Sequence, residues 1–180
     1  MIIYKPMGAE GYEFLSCHGY DDYEIFAQLD GSPRAVQWKP VKVIWVREDE
    51  GRKYKPCDFP WLRSQALVMR KRAVDGLRDI LDAHGEILSL ATDDGVELFA
   101  FNARVVNALD EGRSTILRFP DSNKIMWIKK VAFIESAIRG LDIFRLPLRA
   151  SATYVSQRFV DCVHAAGLVG LEFNKVWSSE

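Results

Sequence analysis

Hydrophobic and polar positions along the chain fall into a unit that recurs three times. Each copy is a short apolar strand, a polar or basic step, an amphipathic helix, a glycine and a second apolar strand. The first copy runs Ala66-Leu67-Val68-Met69, Arg70-Lys71, Ala73 to His84, Gly85, then Ile87-Leu88-Ser89-Leu90. The second is Ile125-Met126-Trp127-Ile128, Lys129-Lys130, Val131 to Arg139, Gly140, then Leu141-Asp142-Ile143-Phe144. The third is Thr153-Tyr154-Val155, Ser156-Gln157, Arg158 to Ala166, Gly167, then Gly170-Leu171-Glu172-Phe173. In the first helix Ala73, Leu77, Ile80, Leu81 and His84 share one face, and Lys71, Asp75, Arg78, Asp79 and Asp82 take the other. Gly85, Gly140 and Gly167 stand where a left-handed residue commonly ends a helix, and Ser156 is a natural N-cap for the last one. The pattern predicts an α+β fold: a mixed or mainly antiparallel sheet with about three packed helices, built from repeated strand-helix-Gly-strand units.

Residues 1–60 read differently, as a β-rich N-terminal lobe preceding an α+β core over 61–180. Tyr23 to Leu29 is mostly apolar and stops at the turn signal Asp30-Gly31-Ser32-Pro33. Val41-Lys42-Val43-Ile44-Trp45-Val46-Arg47 is rich in β-branched and aromatic residues, which suit a pleated, half-buried surface. Lys55 to Trp61 contains Pro56 and Pro60, which forbid a regular ladder and mark a joint. Downstream, Glu86 to Phe101 reads as a hairpin turning at Asp93-Asp94-Gly95. A second hairpin runs through Pro120-Asp121-Ser122-Asn123.

Charge narrows the function. The chain has 180 residues with 24 Lys+Arg against 25 Asp+Glu, a formal net charge of −1. That is no footprint for a general nucleic-acid binder. Arg70-Lys71-Arg72 and Lys129-Lys130 are the local exceptions and read as solvated, strand-terminating charge rather than a nucleic-acid contact. The three cysteines, Cys17, Cys57 and Cys162, lie far apart, which fits a reducing compartment. The first residues read as a strand rather than a signal peptide, and no apolar run has the length of a membrane span, so a cytoplasmic location without membrane contact is expected.

Candidate chemistry is sparse. The three histidines are His18, His84 and His164, and the last two sit near helix ends, where a ring satisfies terminal carbonyls. No metal set, cofactor or catalytic residue is assigned: GxGxxG, GxxxxGK[ST] and GxSxG are all absent. Cys17-His18 is the one adjacent nucleophile and base, but neighbours on a strand point to opposite faces. Tyr20-Asp21-Asp22-Tyr23 has another texture. Tyrosines interleaved with carboxylates suit the rim of a protein interface, with Tyr20, Asp21, Asp22 and Tyr23 as the candidate partner-binding residues. The competing reading makes Tyr23 an inward strand residue and the acids a loop.

The C-terminal two thirds resembles a bacterial family, polymorphic-toxin immunity protein family eleven. The residues that carry the resemblance are Ala66-Leu67-Val68-Met69 with its helix ending His84-Gly85-Glu86, Val105 to Asp110, and Gly140-Leu141-Asp142-Ile143-Phe144-Arg145-Leu146-Pro147. They continue through Tyr154 to Phe173 and close on Val176-Trp177. The resemblance spans roughly residues 60–178. It implies a cytosolic, non-enzymatic protein whose partner is a cognate toxin, neutralised by covering its active or substrate surface. It carries over no catalytic motif and places no binding surface. The rivals are a small enzyme that reverses a toxin's modification through Cys17 or His18, and a nucleic-acid-binding regulator using Arg70, Lys71, Arg72, Lys129 and Lys130. A homo-oligomer stays open.

Overall fold

The computed structural model describes residues 1–179, and among these it has five helices and thirteen strands. In chain order they are β1 (Ile2–Gly8), β2 (Phe14–Cys17), α1 (Tyr20–Ala27), β3 (Val41–Val46), β4 (Glu48–Asp49) and β5 (Arg52–Lys53). Then come β6 (Leu67–Arg70), α2 (Lys71–Gly76), α3 (Arg78–His84), β7 (Gly85–Ala91), β8 (Leu98–Ala103), β9 (Thr115–Arg118) and β10 (Ile125–Lys130). The last are α4 (Glu135–Ile138), β11 (Ile143–Arg145), β12 (Thr153–Ser156), α5 (Gln157–Ala165) and β13 (Leu171–Ser178). The α+β class is as expected, and the sheets are mixed: β3 pairs with β7 in parallel, the other paired strands antiparallel.

Two main sheets sandwich α2, α3 and α5. One has five strands in the order β2-β3-β7-β8-β6, the other four in the order β11-β12-β1-β13. Side-chain alternation along the strands sorts three cores. Leu15, Val41, Val43, Val68, Leu88, Leu90, Leu98 and Ala100 point to one face of the five-stranded sheet, where Phe26 and Leu29 cover them. Leu67, Met69, Phe101 and Ala103 point to the other, under Val74, Leu81, Phe159 and Val163 of the helices and against Ile143 and Val155 of the second sheet. Ile3, Phe144 and Tyr154 face away from those helices and pack on Val131, Phe133 and Ile138. The N-terminal 60 residues distribute their strands over both sheets: β1 lies between β12 and β13, whereas β2 and β3 join β7.

Several local expectations change. Tyr23 to Leu29, read as a strand, lies largely in α1. Gly19 enters in extended conformation, Asp21 and Asp22 occupy the first turn, where the helix dipole favours acids, and Phe26 and Ala27 are buried together. The single helix expected over Ala73–His84 is two, broken at Leu77 (φ −118, ψ 13) just after Gly76, a poor helix former. These changes raise the helix number from about three to five short ones. The helix expected from Val131 shrinks to α4, because Ala132 and Phe133 are extended and tied to another segment. Asp110 N–H donates to Ala132 O at 2.9 Å and Ile134 N–H to Ala108 O at 2.8 Å. Gly140 (φ 78) and Gly167 (φ 61) are left-handed, as expected of helix stops. Gly85 is not: at φ 169 it opens β7, and the absence of a side chain there serves close approach. A Cβ at that point would lie 2.4 Å from Asn102 O and 2.7 Å from Phe101 Cζ.

Polar bonds stitch the three recurring units together. His84 Nδ1–H donates to Ile80 O at 2.8 Å, its own helix, and Nε2 accepts from Asp142 N–H at 3.1 Å. Asp142 in turn accepts from Ser156 Oγ at 2.7 Å and from Arg158 at 2.5 Å. Ser156 caps α5 by accepting from Phe159 N–H at 3.2 Å. The structural role read for His84 is the one it performs.

Candidate functional site

An open groove of about 1190 Å³ lies beside β2 and α1. Its walls come from distant parts of the chain: Lys5 and Met7 of β1, Phe14 to Cys17 of β2, Tyr20 and Tyr23 of α1, and Trp61 to Gln65. The prolines at 56 and 60 keep the segment before Trp61 irregular, yet it is anchored to β2. Leu15 N–H donates to Trp61 O and Glu13 N–H to Lys55 O, each at 2.8 Å.

Aromatic rings and the Arg63 cation meet at the rim. Tyr20 is 70% exposed, and its ring centroid stands 6.3 Å from that of Tyr23. The Arg63 guanidinium lies over the Tyr23 ring at 4.3 Å, within cation–π range. Glu24 and Arg149 form an ion pair that braces α1 from behind. Lower in the groove Gln65 is 2% exposed, and its amide nitrogen has no hydrogen-bond partner among the described residues. A buried donor of this kind carries a desolvation cost of about 1–3 kcal/mol until an acceptor reaches it.

Of the partner-binding candidates, Tyr20 and Tyr23 line the groove together, while Asp21 and Asp22 sit beside them in the first turn of α1, outside its lining. Phe14, Trp61, Arg63 and Gln65 are additions that sequence reading did not find. A Trp following two prolines was visible, but its meeting with β2 depends on long-range pairing. Cys17 ends β2 half-buried and His18 is exposed. Burial pushes the Cys17 thiol up, Asp22 pushes the same way, and Arg63 only partly offsets them. A nucleophilic thiol needs the opposite shift. Among the described residues no group of three or more His, Cys, Asp or Glu gathers to hold a metal, and no helix is long and apolar enough to cross a membrane.

The basic steps are corrected in part. Arg70 and Arg72 are not merely solvated: Arg70 pairs with buried Glu13 at 2.5 Å and Arg72 with buried Asp58 at 2.8 Å. Lys71 pairs with Asp75 at 2.6 Å along its helix. These cations serve the fold.

Residues 98–178 match the model of the immunity protein family (Imm11), the family that the sequence resembles. No curated protein matches the chain. The matched stretch runs from β8 through β13, so it holds the four-stranded sheet apart from β1, and the β9–β10 hairpin. The aromatic groove rim lies outside it.

Proposed function

We propose that this protein is a cytoplasmic immunity protein that binds a cognate bacterial toxin and neutralises it by covering the toxin's active or substrate surface. The match of residues 98–178 to an immunity family carries the reading. The groove rim supports it with a place for contact: Tyr20 and Tyr23 are aromatic anchors, Asp21 and Asp22 supply charge beside them, and Gln65 offers a buried donor to an entering carbonyl or carboxylate. A tight inhibitor of this kind buries on the order of 1,600 Å² in total, more than the groove alone supplies. The protein acts by binding and performs no chemistry on its partner.

The test uses the product of the neighbouring gene, catalytically disabled, as the candidate toxin and a tagged form of this protein. A stoichiometric complex that survives moderate salt, together with protection of cells that express the active toxin, is the expected result. Tyr23→Ala and Asp22→Lys should each weaken the complex. If both bind as the unaltered protein does, α1 is not part of the interface. If no complex forms between folded proteins and no protection is seen, the immunity reading is wrong.

A further inference from the structure

Hairpin β9–β10 pairs with neither main sheet. A lone two-stranded hairpin is marginal in water, so it must be held from one side. Ile128 packs against the core containing Val131 and Phe133. At its base Ser114 Oγ donates to Asp110 O at 2.6 Å and accepts from Ala132 N–H at 2.9 Å. Nearer the tip Arg118 donates to Asn123 O at 2.8 Å and to Glu111 at 2.5 Å. The hairpin is therefore a braced projection.

Its outer face is apolar and uncovered. Leu117 pairs directly with Trp127, and Thr115 with Lys130. Alternation in β9 puts Thr115 and Leu117 on one face, and Ile116 and Arg118 on the other. Ile116, Arg118, Ile125 and Ile128 are half-buried. By contrast Trp127 is 59% exposed, Leu117 51%, and Phe119, one step past the strand on the Leu117 side, 47%. Met126, in the bulge between the Ile125 and Trp127 pairs, adds a fourth exposed apolar side chain. Clustered large apolar residues of this kind mark contact sites.

The same face runs into positive charge. Lys130 also lines a recess of about 380 Å³, with Arg113, Lys175, Trp177 and backbone around Val131 and Ala132. None of the described residues that line it carries a carboxylate. Because the chain as a whole has a formal net charge of −1, this basic recess is a local feature. An apolar strip ending in a cationic recess complements a polypeptide surface with apolar side chains flanked by Asp or Glu. A nucleic-acid strand fits less well, since aliphatic Leu117 and Met126 share the strip with Trp127 and Phe119 and the chain carries no net positive charge.

We infer that the outer face of β9–β10 and the Lys130–Lys175 recess form a second toxin contact, which takes an acidic surface bearing apolar side chains. This rests on the immunity reading above. The hairpin and every residue of the recess lie within the stretch that matches the immunity family.

The experiment measures the affinity of the disabled toxin by calorimetry at two salt concentrations. It compares the unaltered protein, Leu117→Ser/Trp127→Ser, Lys130→Glu/Lys175→Glu, and Val36→Ser as a control at a fully exposed site elsewhere. The altered side chains are largely solvent-facing, and thermal unfolding checks that each variant is folded. The apolar pair should weaken binding by about tenfold or more. The charge pair should weaken it and flatten its salt dependence, and Val36→Ser should change nothing. Unaltered affinity in both double variants, with a normal complex in the parent, overturns the hairpin contact and leaves the immunity reading intact. No complex in the parent removes the immunity reading and this contact with it. A labelled single-stranded oligonucleotide is titrated in parallel. Binding that disappears in Lys130→Glu/Lys175→Glu, while toxin affinity is unchanged, would reassign the face to nucleic acid and overturn the protein partner.

Discussion

Glu13 and Arg70 stand at opposite edges of the five-stranded sheet, one just before β2 and the other ending β6, and their side chains meet at 2.5 Å. The sheet has therefore curled until its edges approach. The segment between β5 and β6 seals the gap: Trp61 accepts from Leu15 N–H on one edge, and Asp58 O accepts from Arg70 N–H on the other, each at 2.8 Å. Arg47 Nε reaches the second oxygen of Glu13 at 3.0 Å, and both guanidinium groups flank the Trp45 ring, at 4.3 Å and 4.8 Å. Because the segment that forms one wall of the groove is held by this closure, the ion pair positions the candidate site as well as stabilising the sheet.

Removing Glu13 should be costly, because a buried carboxylate with two cationic partners cannot be deleted without leaving them uncompensated. Glu13→Ala is expected to lower the unfolding free energy by about 3 kcal/mol. Arg70→Met should cost less, since Arg47 still pairs with Glu13. Urea unfolding of both single variants and the double variant gives the coupling directly. A loss under about 0.5 kcal/mol in Glu13→Ala, within the range of ordinary surface changes, would mean that the closure does not depend on this pair.

The glycines of the recurring unit separate by mechanism. At Gly85 a methyl group would run into Asn102 O and Phe101 across the β7–β8 ladder, so Gly85→Ala is an overpacking change, expected to cost about 1–3 kcal/mol. At Gly140 no atom lies within 4 Å of the added Cβ, and only the positive φ opposes it. Gly140→Ala should cost about 1 kcal/mol, and Gly140→Asn less. Thermal unfolding of the three variants checks the order. Rescue at Gly85 by Asn, a residue tolerant of positive φ, would contradict it.

The same contrast explains what sequence reading could reach. Strands β3, β10, β12 and β13 were legible because their apolar content is β-branched or aromatic and their ends carry turn residues. The cap at Ser156 was legible because it is local. Helix α1 was not, since the run Tyr23 to Leu29 lacks a decisive period and its helix is selected by Asp21, Asp22 and the burial of Phe26. The helix expected from Val131 gave way to extended pairing of Ala132 and Phe133 with residues 108–110, a long-range competitor. The groove follows this rule. Tyr20 and Tyr23 adjoin in sequence and could be proposed together, whereas Phe14, Trp61, Arg63 and Gln65 reach them only through the closure of the sheet.

Acid should loosen the turn after α1. Asp30 accepts hydrogen bonds from the Ser32 hydroxyl and the Ser32 N–H, with Arg34 adding to them, and its pKa falls to about 2. The folded-state value lies below that of the unfolded chain, about 3.9, so the ionised carboxylate favours the native state. Its contribution is complete above about pH 4 and is lost as the pH falls toward 2. Asp30→Asn should flatten this part of the stability profile and leave the rest unchanged. Urea unfolding at pH 5, 3 and 2 measures it, and an Asp30→Asn profile parallel to that of the parent would show that the carboxylate is not linked to folding.

Cysteine reactivity bears on whether the groove performs chemistry or contact. Cys57 is buried, and burial, followed by the charge of Glu13, pushes its thiol up to about 12. Cys17 is raised as well, first by burial and then by Asp22. Since the thiolate is the reactive form, iodoacetamide at pH 8 should leave Cys57 unmodified in the folded protein and label Cys17 more slowly than a free thiol. Asp22→Asn removes one of the two upward causes and leaves Arg63 in place, so it should speed labelling at Cys17. Mass spectrometry of timed samples reads each site separately. Labelling of Cys17 faster than a free thiol, abolished by His18→Ala, would reveal an activated nucleophile and favour a reaction at the groove. Slow labelling that Asp22→Asn accelerates and His18→Ala leaves alone is the outcome expected of a surface that works by contact, with Asp22 holding a negative charge at the foot of Tyr20 and Tyr23.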